Sequence, residues 1–440
     1  MASSWPGSQS MMSRVIGRPS TVPTHPIMAR GCCCVHGVVI ATDYSPAVER
    51  RVLAWMCVLI AVNQLGFGAV IPVLPLYAKS FDVSQTAIGA TVAVYGVARV
   101  FLGLPTGKVA DVLGRRAALA VGGGVTVLGN LWCAGAETYV ELLMARLIAG
   151  AGAGVVLTAG LIVLADIASP TTRGRTLAIY QGVFLFAVGI GPFPGGFLAE
   201  RFGLEAPFLV YAIMGAAVTA VAWFGVAETR GVGGTPASPE AVPLRDQVRV
   251  LLGNIGFRLV CFIGLAGALA RTGGLFSIVP ILGRERLGLS ATEIGFGFAL
   301  GSVVGLLVTY PAGYMADRFG RKAVIVPATV LIGVSMVAFS VAGDYAWFLG
   351  ACVIWGVAIT ASGAAPAAYA ADAAPHGMNA AAMGSYRMLS DVGYVVGPIL
   401  LGWLGDAGGL ETPLWAAAGS LFLMAGLFGV FASETVRKTP

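Results

Sequence analysis

Apolar stretches recur along the whole chain, separated by short polar or charged segments. Typical examples are LAVGGGVTVLGNLWCAGA at 119–136 and AAAGSLFLMAGLFGVFAS at 416–433. Their length predicts helices that cross about 30 Å of hydrocarbon. Twelve such spans are expected, at 52–76, 86–106, 117–136, 140–164, 176–199, 207–226, 258–281, 292–314, 322–342, 346–368, 381–404 and 412–432. A membrane β-barrel would instead alternate apolar and polar residues over short segments, and no such alternation is present. The widest internal gap, 227–257, contains GVGGTPASPE and then LRDQVRVLL, which predicts a linker with one short surface helix.

Composition agrees with this pattern. The 440 residues are 57 % hydrophobic and only 11 % charged, with a mean hydropathy of +0.84. A soluble fold could not cover that much apolar surface. Net charge is +6, low for a nucleic-acid partner. The positions of the basic residues carry more information. The loops after spans 2, 4, 6, 8 and 10 hold twelve Lys and Arg, and those on the other side hold four. The inside-positive bias puts both termini in the cytoplasm, and a plasma (inner) membrane is expected. His25, His36 and His376 fall outside every span. The cysteines lack ligand spacing and read as small buried hydrophobes. Neither metal nor cofactor is expected.

The chain repeats itself. GKVADVLGRR at 107–116 returns as GYMADRFGRK at 313–322, and 317 − 111 gives an offset of 206. The same offset links Pro105 to Pro311, Asp166 to Asp372, Tyr180 to Tyr386, Pro192 to Pro398 and Pro207 to Pro413. The expected division is a disordered tail at 1–50, a six-helix bundle at 51–226, the cytoplasmic linker at 227–257, a second bundle at 258–433 and a short tail at 434–440. An even number of spans per half gives both halves the same orientation. Residues 1–50 are rich in Ser, Pro and Arg, which also fits an organelle transit segment or a start placed too far upstream.

The repeated phrase matches G-x-x-x-D-x-x-G-R-[RK], the loop signature of the major facilitator superfamily, and the resemblance covers roughly 50–435. It resembles most the twelve-span drug/proton antiporter branch. That implies an all-α membrane protein of twelve transmembrane helices in two pseudo-symmetric six-helix halves. It also implies a gating latch in each half, formed by Gly107, Asp111, Gly114, Arg115 and Arg116 and by Gly313, Asp317, Gly320, Arg321 and Lys322. In the family this loop holds the outward-open state. GIGPFPGGF at 189–197 resembles the antiporter motif, here Gly191, Pro192, Gly195 and Gly196; two upstream glycines of that motif read Ala178 and Ala187. RLIAGAGAG at 146–154 resembles a motif in which Arg146 is linked to proton movement and Gly150, Gly152 and Gly154 are packing surface.

Ionisable residues inside spans are costly, so each is a site hypothesis. Four are Arg99, Arg146, Arg271 and Arg387, and the single acid well inside a span is Asp391. Arg387 and Asp391 are four residues apart and can pair on one helix face. The proton-coupling candidates are therefore Asp391, Arg387 and Arg146. The family's frequent acid in span 1 is missing, with Asn63 and Gln64 in that region. Candidates for the substrate cavity are Asn63, Gln64, Tyr95, Arg99, Gln181, Arg271, Trp355 and Tyr394.

These observations point to a secondary active transporter, a monomer in the lipid bilayer, that exchanges protons for a small-molecule substrate by alternating access. Efflux of small organic molecules or drugs is the leading expectation. An importer or uniporter of an anionic metabolite is the alternative that the four arginines suggest. A non-transporting receptor on the same fold is a further alternative. No G-x-S-x-G or H-E-x-x-H is present, so no enzyme is expected.

Overall fold

A computed structural model describes residues 34–35, 38–39, 46–168, 172–229, 244–363, 365–375 and 378–435. Most of the expected tails, 230–243 of the linker, and His25, His36 and His376 lie outside the described residues. So does the side chain of Asp317.

Among the described residues, eleven helical segments are long and apolar enough to cross a membrane, and a bent pair makes the twelfth. The spans are Glu49–Val70, Gln85–Phe101 with Thr106–Leu113, Arg115–Ala134, Tyr139–Ile167, Gly174–Phe202, Ala206–Gly225, Ile255–Leu287, Ala291–Ala316, Lys322–Ser340, Tyr345–Asp372, Ala381–Gly408 and Thr412–Phe431. They are numbered 1 to 12 below. Spans 1–6 form one half and spans 7–12 the other.

The helices mostly outrun the apolar runs because polar residues cap them. Ser84 and Thr138 accept from the backbone N–H groups of Ala87 and Glu141. Ser290 and Glu293 close a reciprocal capping box. Span 1 falls shortest of its expected run. It stops at Val70, and a separate helix, Leu74–Lys79, follows a turn. Pro72 and Pro75 bring no N–H groups to the i→i−4 ladder there. Span 2 bends by 53° between Phe101 and Thr106, the stretch that contains Pro105. The linker carries the amphipathic helix Leu244–Gly253, whose Leu251 is buried.

Lipid offers no hydrophobic drive for helices to associate, so close packing on small residues holds the halves together. Span 4 shows this. Gly150 and Gly154 face the backbone of span 2 at Tyr95 and Arg99, and Gly152 faces span 3 at Thr126. A Cβ at Gly154 would sit 2.9 Å from the Arg99 carbonyl oxygen. Gly191 and Gly195 play the same part for spans 5 and 1, at Gly68 and Ala69.

The end of the bundle that carries the 2–3 and 8–9 loops is called the basic end. At the opposite end the two halves meet at two repeat-related seams. Span 2 packs on span 11, with Gly89 against the Pro398 carbonyl. Span 5 packs on span 8, with Gly295 against the Pro192 carbonyl. Each seam closes on a carboxylate at a helix N-terminus. Asp406 accepts from the backbone N–H groups of Gln85 and Thr86 at 2.7 and 2.9 Å and from the Thr86 hydroxyl. Glu200 accepts from the Thr292 hydroxyl. Since 406 − 200 and 292 − 86 both equal 206, one arrangement is used twice. Lys79 pairs with Glu285, and 285 − 79 is again 206, so these equivalent positions meet at the pseudo-two-fold axis.

Candidate functional site

At the basic end, each half builds a network around its signature loop. Gly114 and Gly320 turn the chain with φ of +95° and +103°, a region that suits residues without a Cβ. The Arg115 guanidinium donates to Asp166 at 3.0 Å and to Asp111 at 2.6 Å. Glu228 accepts from the backbone N–H groups of Arg115 and Arg116, at the start of span 3. In the second half Arg321 donates to Asp372 at 3.4 Å, and Glu434 accepts from the N–H groups of Arg321 and Lys322. A carboxylate there satisfies donors that the helix itself cannot. Among the described residues, no other element comes within 4 Å of a Cβ position at Gly107 or Gly313.

From the closed end toward the basic end runs a cavity of about 830 Å³. It runs from Ile71, Phe298 and Trp355 down to Gly313, Ala316 and Arg321 at the basic end. Of the expected lining residues, Gln181, Arg271 and Trp355 are on its wall. The others are elsewhere. Asn63 and Gln64 are buried and hydrogen-bonded to each other at 3.0 Å, because both amides turn into the packed half rather than toward the cavity. Tyr95 is buried against Phe67, and its hydroxyl lies 3.4 Å from that of Tyr211. Tyr394 borders a much smaller pocket with Arg146, Phe67, Val92 and Phe276.

Asp391 pairs not with Arg387 but with Arg99, at 3.6 Å across the two halves. Four-residue spacing permits the local pair, yet the carboxylate faces span 2 while Arg387 is exposed. The Arg99 guanidinium also lies 4.5 Å from the centre of the Tyr394 ring. Arg146 is 1 % exposed, sits 4.3 Å from the Tyr95 ring centre and donates from Nε to the Thr91 carbonyl at 3.4 Å. Among the described residues its Nη1 has no hydrogen-bond partner. Arg271 stands in a wide π-helical stretch, Ala270–Ile278. Pro280 follows and supplies no N–H to the turn before it. Such stretches are frequent at functional sites.

Several contributors were not expected from the motifs: Tyr211, Phe276, Glu200, Asp406, Glu228 and Glu434. The acids could have been found from the repeat, since 434 − 228 is also 206. The midspan charges show the reverse. At the same offset Arg99 faces Gly305, Arg146 Cys352, Arg271 Leu65, Arg387 Gln181 and Asp391 Leu185. The scaffold is duplicated and its buried charge is not.

A sequence profile described as the Major Facilitator Superfamily matches residues 56–308 and 260–440, most of the chain. The chain belongs to this superfamily. The transporter is 21 % identical over 352 residues to an uncharacterized MFS-type transporter of Methanocaldococcus jannaschii, covering 79 % of this chain and 89 % of that one. It is 24 % identical over 297 residues to the multidrug resistance protein MdtL of Escherichia coli, covering 67 % and 74 %. Among solved structures, a bacterial homolog of the human lysosomal transporter Spinster, in an inward-facing unoccupied conformation, superposes with a TM-score of 0.70. It shares 15 % identity, over 88 % of this chain and 97 % of that one. The fold is therefore that of a multi-pass transporter, not of an enzyme.

Proposed function

We propose that the transporter exports small organic molecules across the plasma membrane in exchange for protons. The inside-positive bias supports a basic end in the cytoplasm, and the cavity in this state then opens inward. The family's alternating access carries substrate across as the seams at the opposite end part and the basic end closes. The likeness to a multidrug resistance protein supports the outward direction.

One observation carries the coupling step. Asp391 on span 11 pairs with Arg99 on span 2, so a midspan ion pair bridges the two halves. Protonation removes the carboxylate charge and with it the Coulombic part of that bridge. A proton can then bias the two conformations only through this difference in contacts. Arg146, placed among the coupling candidates by its motif, is not on the wall of the large cavity and borders the small pocket beside it, against the Tyr95 ring.

The test uses proteoliposomes that hold a pH-sensitive dye and either the wild-type protein or Asp391→Asn. Cationic, neutral and anionic compounds are added in turn. The expected result is proton movement opposite to substrate flux in the wild type and none in the variant. Substrate flux without proton movement in the wild type overturns the coupling.

A further inference from the structure

We infer that the cavity selects organic anions, carboxylates above all, and that Arg271 is the residue that reads the charge. This rests on the reading of the cavity as the transport site. Among the described residues, the charged side chains on its wall are Arg271 and Arg321, and no Asp or Glu lines it. Arg321 is at the rim and is engaged by Asp372. Arg271 is different. Its guanidinium lies 5.6 Å from the centre of the Phe276 ring. No described carboxylate comes within the 4.0 Å of an ion pair. Asp391, the acid inside the spans, is matched to Arg99.

The surroundings reinforce that charge. Phe276 and Ile71 are walls shared by the large cavity and the small pocket that holds the unpartnered Nη1 of Arg146. Among the described residues, Arg99, Arg146 and Arg271 are opposed by one carboxylate, Asp391, so this region is positive. A cationic ligand would meet uncompensated like charge in a low-dielectric site. A carboxylate would meet a guanidinium able to donate two parallel hydrogen bonds. Trp355 and Phe298 offer an apolar body site, and Gln181, Ser302 and Ser390 offer polar contacts. The volume suits a single small organic molecule.

Fluorescein and rhodamine 123 test this directly. They share a xanthene–phenyl frame, but fluorescein carries a free carboxylate and rhodamine 123 is a cationic ester. Purified full-length protein in proteoliposomes is expected to move fluorescein about tenfold faster than rhodamine 123, and Arg271→Gln to lower fluorescein flux about tenfold. Arg271→Lys, which keeps the charge but not the fork, should lie between. Fluorescein should also raise the unfolding temperature of the wild-type protein more than rhodamine 123 does, a readout that needs no variant. Equal or faster rhodamine 123 flux overturns the inference. So does fluorescein flux that Arg271→Gln leaves unchanged, or the absence of any fluorescein effect on flux and unfolding alike. Fluorescein flux without proton movement sinks the coupling and leaves anion selectivity standing. Proton-coupled rhodamine 123 flux does the opposite.

Discussion

Asp406 offers a way to tilt the transport cycle without touching the cavity. Its carboxylate closes the N-terminus of span 2 from the other half of the molecule, accepting from two backbone N–H groups and a hydroxyl. These bonds exist only while the seam between spans 2 and 11 is shut. Asp406→Asn keeps the size and one acceptor oxygen but loses the charge and the second acceptor. For an exposed carboxylate at a helix end, screening holds the loss to about 1 kcal/mol. That is about a fivefold shift of the conformational ratio toward the state open at this end. Glu200→Gln at the second seam should add to it, and the double variant should shift further than either single one. Spin labels at Glu137 and Gly343, exposed loop residues of the two halves at this end, would report the change by pulsed electron resonance. A longer-distance population should grow in the order wild type, single, double. An identical distance distribution in the double variant would refute the reasoning, since the caps would then contribute nothing to closure.

Further outcomes follow from packing and charge. Gly154→Ala should lower the unfolding temperature in detergent, because its Cβ has no room beside the Arg99 backbone; overpacking of this kind costs about 1–3 kcal/mol. Gly124→Ala, with no neighbour within 4 Å, should not, and equal losses at both sites would remove the packing argument. Lys79→Glu and Glu285→Lys should each slow transport by setting like charges together at the axis. The double swap should restore it, and unchanged rates in both single variants would show that the contact is idle.

Much of this was legible in the residues. The twelve apolar runs and the 206-residue offset were enough to expect two six-helix halves, because bilayer thickness sets span length and an even number of crossings per half sets a common orientation. The break after Val70 was harder to see. Hydropathy does not register Pro72, whose effect is on the backbone ladder. The site was legible in part. Arg271, Gln181 and Trp355 reach the cavity, while Asn63 and Gln64 turn away from it. A span position does not say which side of a helix faces its own half. The partner of Asp391 was hidden for the same reason. Helical spacing identifies neighbours on one helix, and Arg99 comes from another half of the fold. The seam acids sit at span ends, where a charged residue reads as ordinary solvent contact until its repeat counterpart is noticed.

The contact between Lys79 and Glu285 bears on how such a molecule could have been assembled. Two copies of the first half, brought together in the same arrangement, would set lysine against lysine, and two copies of the second would set glutamate against glutamate. Only the mixed pair attracts. Expressed as separate chains, the halves are therefore steered at this point toward each other rather than toward themselves. Divergence at one symmetric position thus favours the pairing of unlike halves over like ones.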